Sequence, residues 1–182
     1  MPWATDLLPD EIDKNIELVK RGITPDKNIV WFVGMHHHTW DGVRDFCTKN
    51  GIEYKQCGGF VDNNNNVDSQ TNCELIQKSL VAPAVQSNWQ VTHGYIPCRI
   101  FKNISYGKMG MTNSPEVYNL FSGRIFYSPN IDQLMRTGIS FEKQSIVERA
   151  NTLVPLMEYV RDQHTYLNRI DTILEVFKKQ TK

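Results

Sequence analysis

Two apolar runs in this chain do not alternate with polar residues: NIVWFV at Asn28–Val33 and SLVAPAVQ at Ser79–Gln86. A strand with one wet face alternates. A continuous run suits a strand covered on both faces, as in a parallel sheet. Ile52–Gln56, Lys108–Thr112 and Arg124–Tyr127 read as three further short strands. Helical patterns fall between them: Pro9–Arg21, Asp41–Asn50 ending at Gly51, Ser69–Lys78 with Ser69 as N-cap, and Pro97–Tyr106 ending at Gly107. Pro115–Phe121 and Ile131–Thr137 are shorter candidates. This alternation of strand and helix predicts an α/β fold with a mostly parallel sheet.

From Glu142 onward the pattern is helical, with Tyr166, Ile170, Ile173, Leu174 and Phe177 forming an apolar stripe and Pro155 expected to kink or break the earlier part. Asp62–Asp68 reads as a polar loop. A length of 182 residues fits one domain. The expected parts are an N-terminal helical crossover segment over 1–27, a Rossmann-like ligand-binding domain over 28–141, and C-terminal helices over 142–182 packing on that domain.

Lys plus Arg and Asp plus Glu number 20 each, so the formal net charge is zero. That balance argues against a general nucleic-acid or anionic-membrane binder. The N-terminus lacks a basic region followed by an apolar run, and no stretch is apolar enough to span a membrane. Cys47, Cys57, Cys73 and Cys98 form no CxxC pair and read as thiols of a reducing compartment. The expected location is cytoplasmic.

The charge is unevenly placed. The 41 residues from Leu75 to Pro115 contain no Asp or Glu, yet hold Lys78, Arg99, Lys102 and Lys108. A buried strand explains part of the gap. The rest coincides with His93-Gly94-Tyr95-Ile96-Pro97-Cys98-Arg99-Ile100-Phe101-Lys102-Asn103, a glycine-containing loop running into a helix start. Free N–H groups and the dipole at such a start favour a phosphate. Arg99 and Lys102 share a helix face, one offering a planar fork and the other a point charge. The two readings are a diphosphate site and a solvated basic face.

The segment from Cys73 to Arg169 resembles the C-terminal, donor-binding half of GT-B glycosyltransferases, in particular the group with the spore-maturation (CgeB-like) enzymes. Three stretches carry the likeness in order. The strand Leu80–Gln86 is followed by the arginine-bearing helix and by Ser105-Tyr106-Gly107-Lys108-Met109-Gly110-Met111-Thr112-Asn113-Ser114. The strand Arg124–Tyr127 leads into Ser128-Pro129-Asn130-Ile131-Asp132-Gln133-Leu134. His164-Thr165-Tyr166-Leu167-Asn168-Arg169 is similar to an H-T-Y-x-x-R signature near the family's end.

The resemblance implies a metal-independent glycosyltransferase that binds a nucleotide-diphosphate sugar and passes the sugar to a glycan or other acceptor. No cofactor is implied beyond that substrate. Arg99 would meet the diphosphate and Lys102 the phosphate or ribose, with Asn103 beside them. Tyr95, Ile96 and Pro97 would border the base. Gly34 would let a loop approach the donor phosphates, and His36 of the Met35-His36-His37-His38 run would face the same site. One departure stands out: Gly94 and Lys102 occupy the positions of the E-x7-E pair found in many retaining members, so the retaining mechanism is not carried over. A complete enzyme of this kind has two Rossmann-like domains. The chain therefore reads as the donor half, needing an N-terminal acceptor-binding domain or a partner chain.

Other readings stay open. The chain is alternatively a non-catalytic nucleotide- or anion-binding module. A receiver-like or flavodoxin-like domain is weaker, for want of acids at the strand ends. The histidine run matches no zinc spacing. Asn113 and Ser114 either bind ligand or, for Ser114, cap the next helix. Trp89 and Tyr106 either stack on a base or sit in the core, the commoner place for single aromatics in an α/β domain, and His164 and Arg169 read as residues tying the last helix to the domain. Asp6 and Asp10 lie in the crossover segment.

Overall fold

The computed structural model describes residues 2–23, 25, 28–34, 38–58 and 67–180. Met35, His36, His37 and most of the polar loop over 62–68 lie outside that set. The elements in order are α1 (Pro9–Arg21), β1 (Ile29–Val33), α2 (Asp41–Lys49), β2 (Glu53–Cys57), α3 (Ser69–Lys78), α4 (Asn88–Thr92), α5 (Cys98–Ser105), β3 (Met111–Thr112), α6 (Pro115–Leu120), β4 (Phe126–Tyr127), α7 (Ile131–Glu142), α8 (Ile146–Gln163) and α9 (Tyr166–Gln180).

Local chemistry accounts for the best-read helices. In α1, Pro9 sits at the first position, Glu11 Oε2 accepts the Leu8 N–H at 2.7 Å, and Lys20 and Arg21 close the last turn. Its buried stripe is Ile12, Asn15, Ile16 and Val19. α3 has the expected span, but its cap is Asp68 rather than Ser69: Asp68 Oδ1 accepts the Thr71 N–H at 2.7 Å. α4 is an additional short helix, and α7 runs on to Glu142. Pro155 neither breaks nor ends α8. The carbonyl it leaves without a donor belongs to Asn151, which is exposed to water.

β1 and β2 pair in parallel from Ile29↔Glu53 to Val33↔Cys57, and β3 and β4 pair in parallel through Met111↔Phe126 and Thr112↔Tyr127. The expected strand Ser79–Gln86 is extended but joins neither ladder fully. On one side the Leu80 N–H reaches Ile29 O at 2.7 Å; on the other the Ala84 N–H reaches Met111 O at 2.8 Å. The result is two small parallel sheets linked by a bridging segment, in the order β2, β1, 79–85, β3, β4. Side chains explain the interruption. Pro83 has no N–H to give. Asn103 Nδ2 takes the Ala82 carbonyl at 2.7 Å, and Ser79 Oγ takes the Val81 carbonyl at 2.7 Å while accepting the Trp31 N–H at 2.9 Å.

The run 79–86 is buried throughout, whereas in β1 only Val30 and Phe32 are buried and Ile29, Trp31 and Val33 on the other face are half-buried. Val30, Phe32, Val81 and Val85 pack with Val43, Phe46, Leu134 and Met135 of α2 and α7. Ala82 joins Ile76 and Tyr106, and Ala84 joins the core of α1, α5 and α8. Gly110 shows how tight this second core is: a Cβ there would stand 2.6 Å from Ile125 Cγ2 and 2.9 Å from Ile104 Cδ1. Gly110→Ala is therefore expected to destabilise the fold by about 1–3 kcal/mol, seen as a lower urea midpoint at unchanged slope.

α8 packs against α1 and α5. α9 is anchored at its first turn. Arg169 Nε donates to Pro2 O and Nη2 to Trp3 O, both at 3.0 Å, while Nη1 donates to Gln163 O at 2.9 Å. The Thr5 N–H donates to His164 O at 2.9 Å. Beyond that anchor much of the apolar stripe is exposed: Tyr166, Ile170, Ile173 and Leu174 are 42–51% exposed. The double substitution Ile173→Glu, Leu174→Glu should leave the unfolding free energy within about 1 kcal/mol of wild type, because neither side chain supports the core. Thermal melts check this.

Candidate functional site

α5 is the pivot of the site. Ile100, Phe101 and Ile104 are fully buried on one face, which turns Arg99, Lys102 and Asn103 toward a cavity of about 110 Å³. Phe32, Trp40 and Tyr106 form much of the remaining wall. Pro97 occupies the N-cap and offers no side-chain acceptor to the first-turn N–H groups.

Arg99 lies against a pair of touching aromatic rings, its guanidinium carbon 4.2 Å from the Phe32 centroid and 5.0 Å from that of Trp40, with the two centroids 3.9 Å apart. Among the described residues its hydrogen bond runs from Nη2 to the Val33 carbonyl at 3.3 Å. Among the described residues no carboxylate pairs with it. Burial pushes its pKa down to about 10, which is the mark of a cation without a counter-ion. Gly34 follows directly after β1 with φ +143, and a Cβ there would stand 2.7 Å from Arg99 Nη2. Glycine is needed at this position for both the backbone angle and the close approach.

Lys102 differs from Arg99 in one respect: it is paired. Its Nζ donates to Asp6 Oδ2 at 2.8 Å, and the Tyr106 hydroxyl donates to Asp6 Oδ1 at 2.7 Å. Burial and the adjacent Asp6 carboxylate push the Tyr106 phenol well above its ordinary range. Asp6 thus enters the site as the counter-ion of Lys102, a role that no sequence spacing pointed to. Asn103 spends its amide on Ala82 O.

The remaining expected residues have structural partners. Tyr95 O accepts from Gln86 Nε2 at 2.6 Å, Ile96 packs on the α1–α5–α8 core, and Pro97 caps α5. Asn113 clamps the Gln86 backbone, accepting its N–H at 2.8 Å and donating to its carbonyl at 2.9 Å. Of the two readings for Ser114, the cap is observed: its Oγ accepts the Val117 N–H. Trp89 is not a core residue; it is 65% exposed and stacks on His93 with centroids 4.4 Å apart. Tyr106 is fully buried, and His164 and Arg169 do anchor the last helix. His36 lies outside the described residues.

The cavity therefore brings together Arg99, Lys102, Asn103 and, at its edge, Gly34. Sequence reasoning missed Phe32, Trp40 and Asp6, because each reaches α5 only through tertiary folding. Among the described residues no helix is long and apolar enough to cross a membrane, and no three His, Cys, Asp or Glu side chains group as metal ligands. Comparisons with models of known protein families, with curated proteins and with solved structures find no match to this chain.

Proposed function

We propose that the cavity at Arg99 is the diphosphate subsite for a nucleotide-diphosphate sugar, and that the chain supplies the donor half of a GT-B-type glycosyltransferase. The observation that carries this reading is Arg99 itself, a guanidinium in the first turn of a helix with no carboxylate partner among the described residues. Its place supports the reading too. It sits beyond the C-terminal end of β1, where ligands bind in open α/β sheets; in chain order the strands run 2-1-3-4-5, the flavodoxin-like doubly wound order rather than the Rossmann one, and Arg99 stands at its switch point between β1 and 79–85. The ordered sequence motifs add the sugar-transfer chemistry.

In transfer, the acceptor oxygen bonds to the anomeric carbon while the bond from that carbon to the diphosphate oxygen breaks. The acceptor proton leaves to a base on the acceptor side. Arg99 meets the charge that develops on the departing diphosphate. Lys102 joins it by exchanging Asp6 for a phosphate oxygen.

One observation favours the simpler module. A cavity of about 110 Å³ holds a phosphoryl group, whereas sites for whole small-molecule ligands run to roughly 300–1,000 Å³. Titration calorimetry with phosphate, pyrophosphate, UDP, GDP and their sugars separates the two. Binding of a nucleotide sugar with slow donor hydrolysis supports the enzyme. Equal binding of phosphate and every nucleotide supports the module. No binding by any of them sinks both.

A further inference from the structure

Beyond its first turn α9 is exposed at every position from Ile170 to Lys179. A helix of 15 residues is marginal in water on propensity alone and is ordinarily held by the packing of an apolar face. Such a face is present. Tyr166, Leu167, Ile170, Ile173, Leu174 and Val176 are 42–51% exposed. At about 100° per residue they span about half of the helix circumference. Asp171, Glu175, Lys178 and Lys179 all fall on the other half. With nearly half of each residue uncovered, or roughly 80 Å² apiece, the six present about 500 Å² of apolar surface, and patches of that size mark interaction sites.

Area and charge point to the same occupant. Two such faces laid together bury about 1,000 Å² before any flanking polar atoms are added, the size at which a specific interface begins. The charged half reads acid first and base last, Asp171 and Glu175 and then Lys178 and Lys179, and those four charges sum to zero. An antiparallel copy brings the basic end of one helix alongside the acidic stretch of the other and opposes the two helix dipoles. A membrane surface fits less well, because helices that lie on anionic lipid carry an excess of Lys and Arg on the polar face.

We infer that α9 is the contact of a two-fold homodimer, in which it packs antiparallel on α9 of a second copy of this chain with Ile173 and Leu174 nearest the axis. The contact is isologous: each copy offers the same face to the other. It is independent of the donor-site reading, since no residue of α9 lines the Arg99 cavity.

Sedimentation velocity of the full chain between about 1 and 100 μM is expected to show a monomer–dimer equilibrium with a micromolar dissociation constant, as suits a contact at the small end of the size range. Ile173→Glu, Leu174→Glu places four like charges in the contact and should stay monomeric throughout, about a hundredfold weaker or more, while keeping the wild-type circular dichroism. Its unfolding should match that of the wild-type chain diluted below dissociation. Single cysteines read the orientation. Leu174→Cys lies beside the axis and should form an intermolecular disulfide about tenfold faster than Ile170→Cys, whose copies stand too far apart to bridge. The wild-type chain, with its own free thiols, is the blank. If the glutamate variant fails to fold, the cysteine pair decides. The proposal is overturned by a chain that stays monomeric over the whole range, including one that binds lipid vesicles through α9 instead, by a folded glutamate variant that dimerises as the wild type does, or by equal crosslinking at 170 and 174.

Discussion

Arg99→Met is expected to lose about tenfold to a hundredfold in affinity for a nucleoside diphosphate while melting at or above the wild-type temperature. The two signs come from the same fact. A hydrogen bond to a charged group contributes roughly 1.5–3 kcal/mol, and every 1.4 kcal/mol is tenfold in affinity. In the unliganded protein, however, the guanidinium contributes little: one bond to Val33 O at 3.3 Å and its stacking on Phe32 and Trp40. Methionine fills much of the same space against the two rings without a charge to desolvate. A purely structural arginine predicts the reverse, a lower melting temperature and no change in ligand affinity. Arg99→Lys adds a finer test, since it keeps the charge and removes the planar fork, and should fall between the two. Calorimetry with UDP or GDP beside thermal melts reads both quantities. A Met variant that binds as wild type, or that melts several degrees lower, removes Arg99 from the site.

Arg99 and Lys102 also show how far the sequence could be read. Both stand in the acid-free run and on one face of the expected helix, so they were equivalent by position and charge. Asp6, 96 positions away, separates them by neutralising Lys102 alone. Helices α1 and α3 were legible because their signals are local: a proline, early acids and late bases in one, a short capped pattern in the other. The Ser79–Gln86 strand was legible as an extended, doubly covered segment. Its failure to join a ladder was not, because the side chains of Ser79 and Asn103 take the carbonyls that a neighbour would have used. The stripe on α9 was likewise visible as periodicity, which reports that an apolar face exists and nothing about what covers it.

Acid should weaken the anchor of α9, with His164 as the group responsible. Its Nδ1 lies 2.7 Å from Arg169 Nη2. A guanidinium only donates, so Nδ1 accepts and the neutral ring carries its proton on Nε2, which is buried without a partner. The ring is boxed by Phe101, Tyr159 and Phe121, at centroid distances of 4.7, 5.0 and 6.1 Å. A second proton would place an imidazolium against Arg169 in that apolar box. Burial first, and the Arg169 charge second, hold its pKa at about 4, against 6.5 for a free ring. The folded-state value is the lower one, so between these two pH values the unfolded chain takes up a proton that the folded protein refuses. Stability therefore falls as pH drops from 6.5 toward 4, by about 3 kcal/mol in all. His164→Phe keeps the ring packing and removes the titration. It forfeits about 1 kcal/mol near pH 7 through the lost Arg169 bond, and then overtakes the wild-type protein as the pH falls. Urea unfolding of both proteins at about pH 7, 6 and 5 isolates the histidine, because every carboxylate is common to the pair. Parallel pH dependences would refute the assignment. The Thr5 N–H bonds to His164 O and Asp6 comes next in the chain. A lower amide protection factor at Thr5 in acid, absent from His164→Phe, is therefore the local signature of the same event.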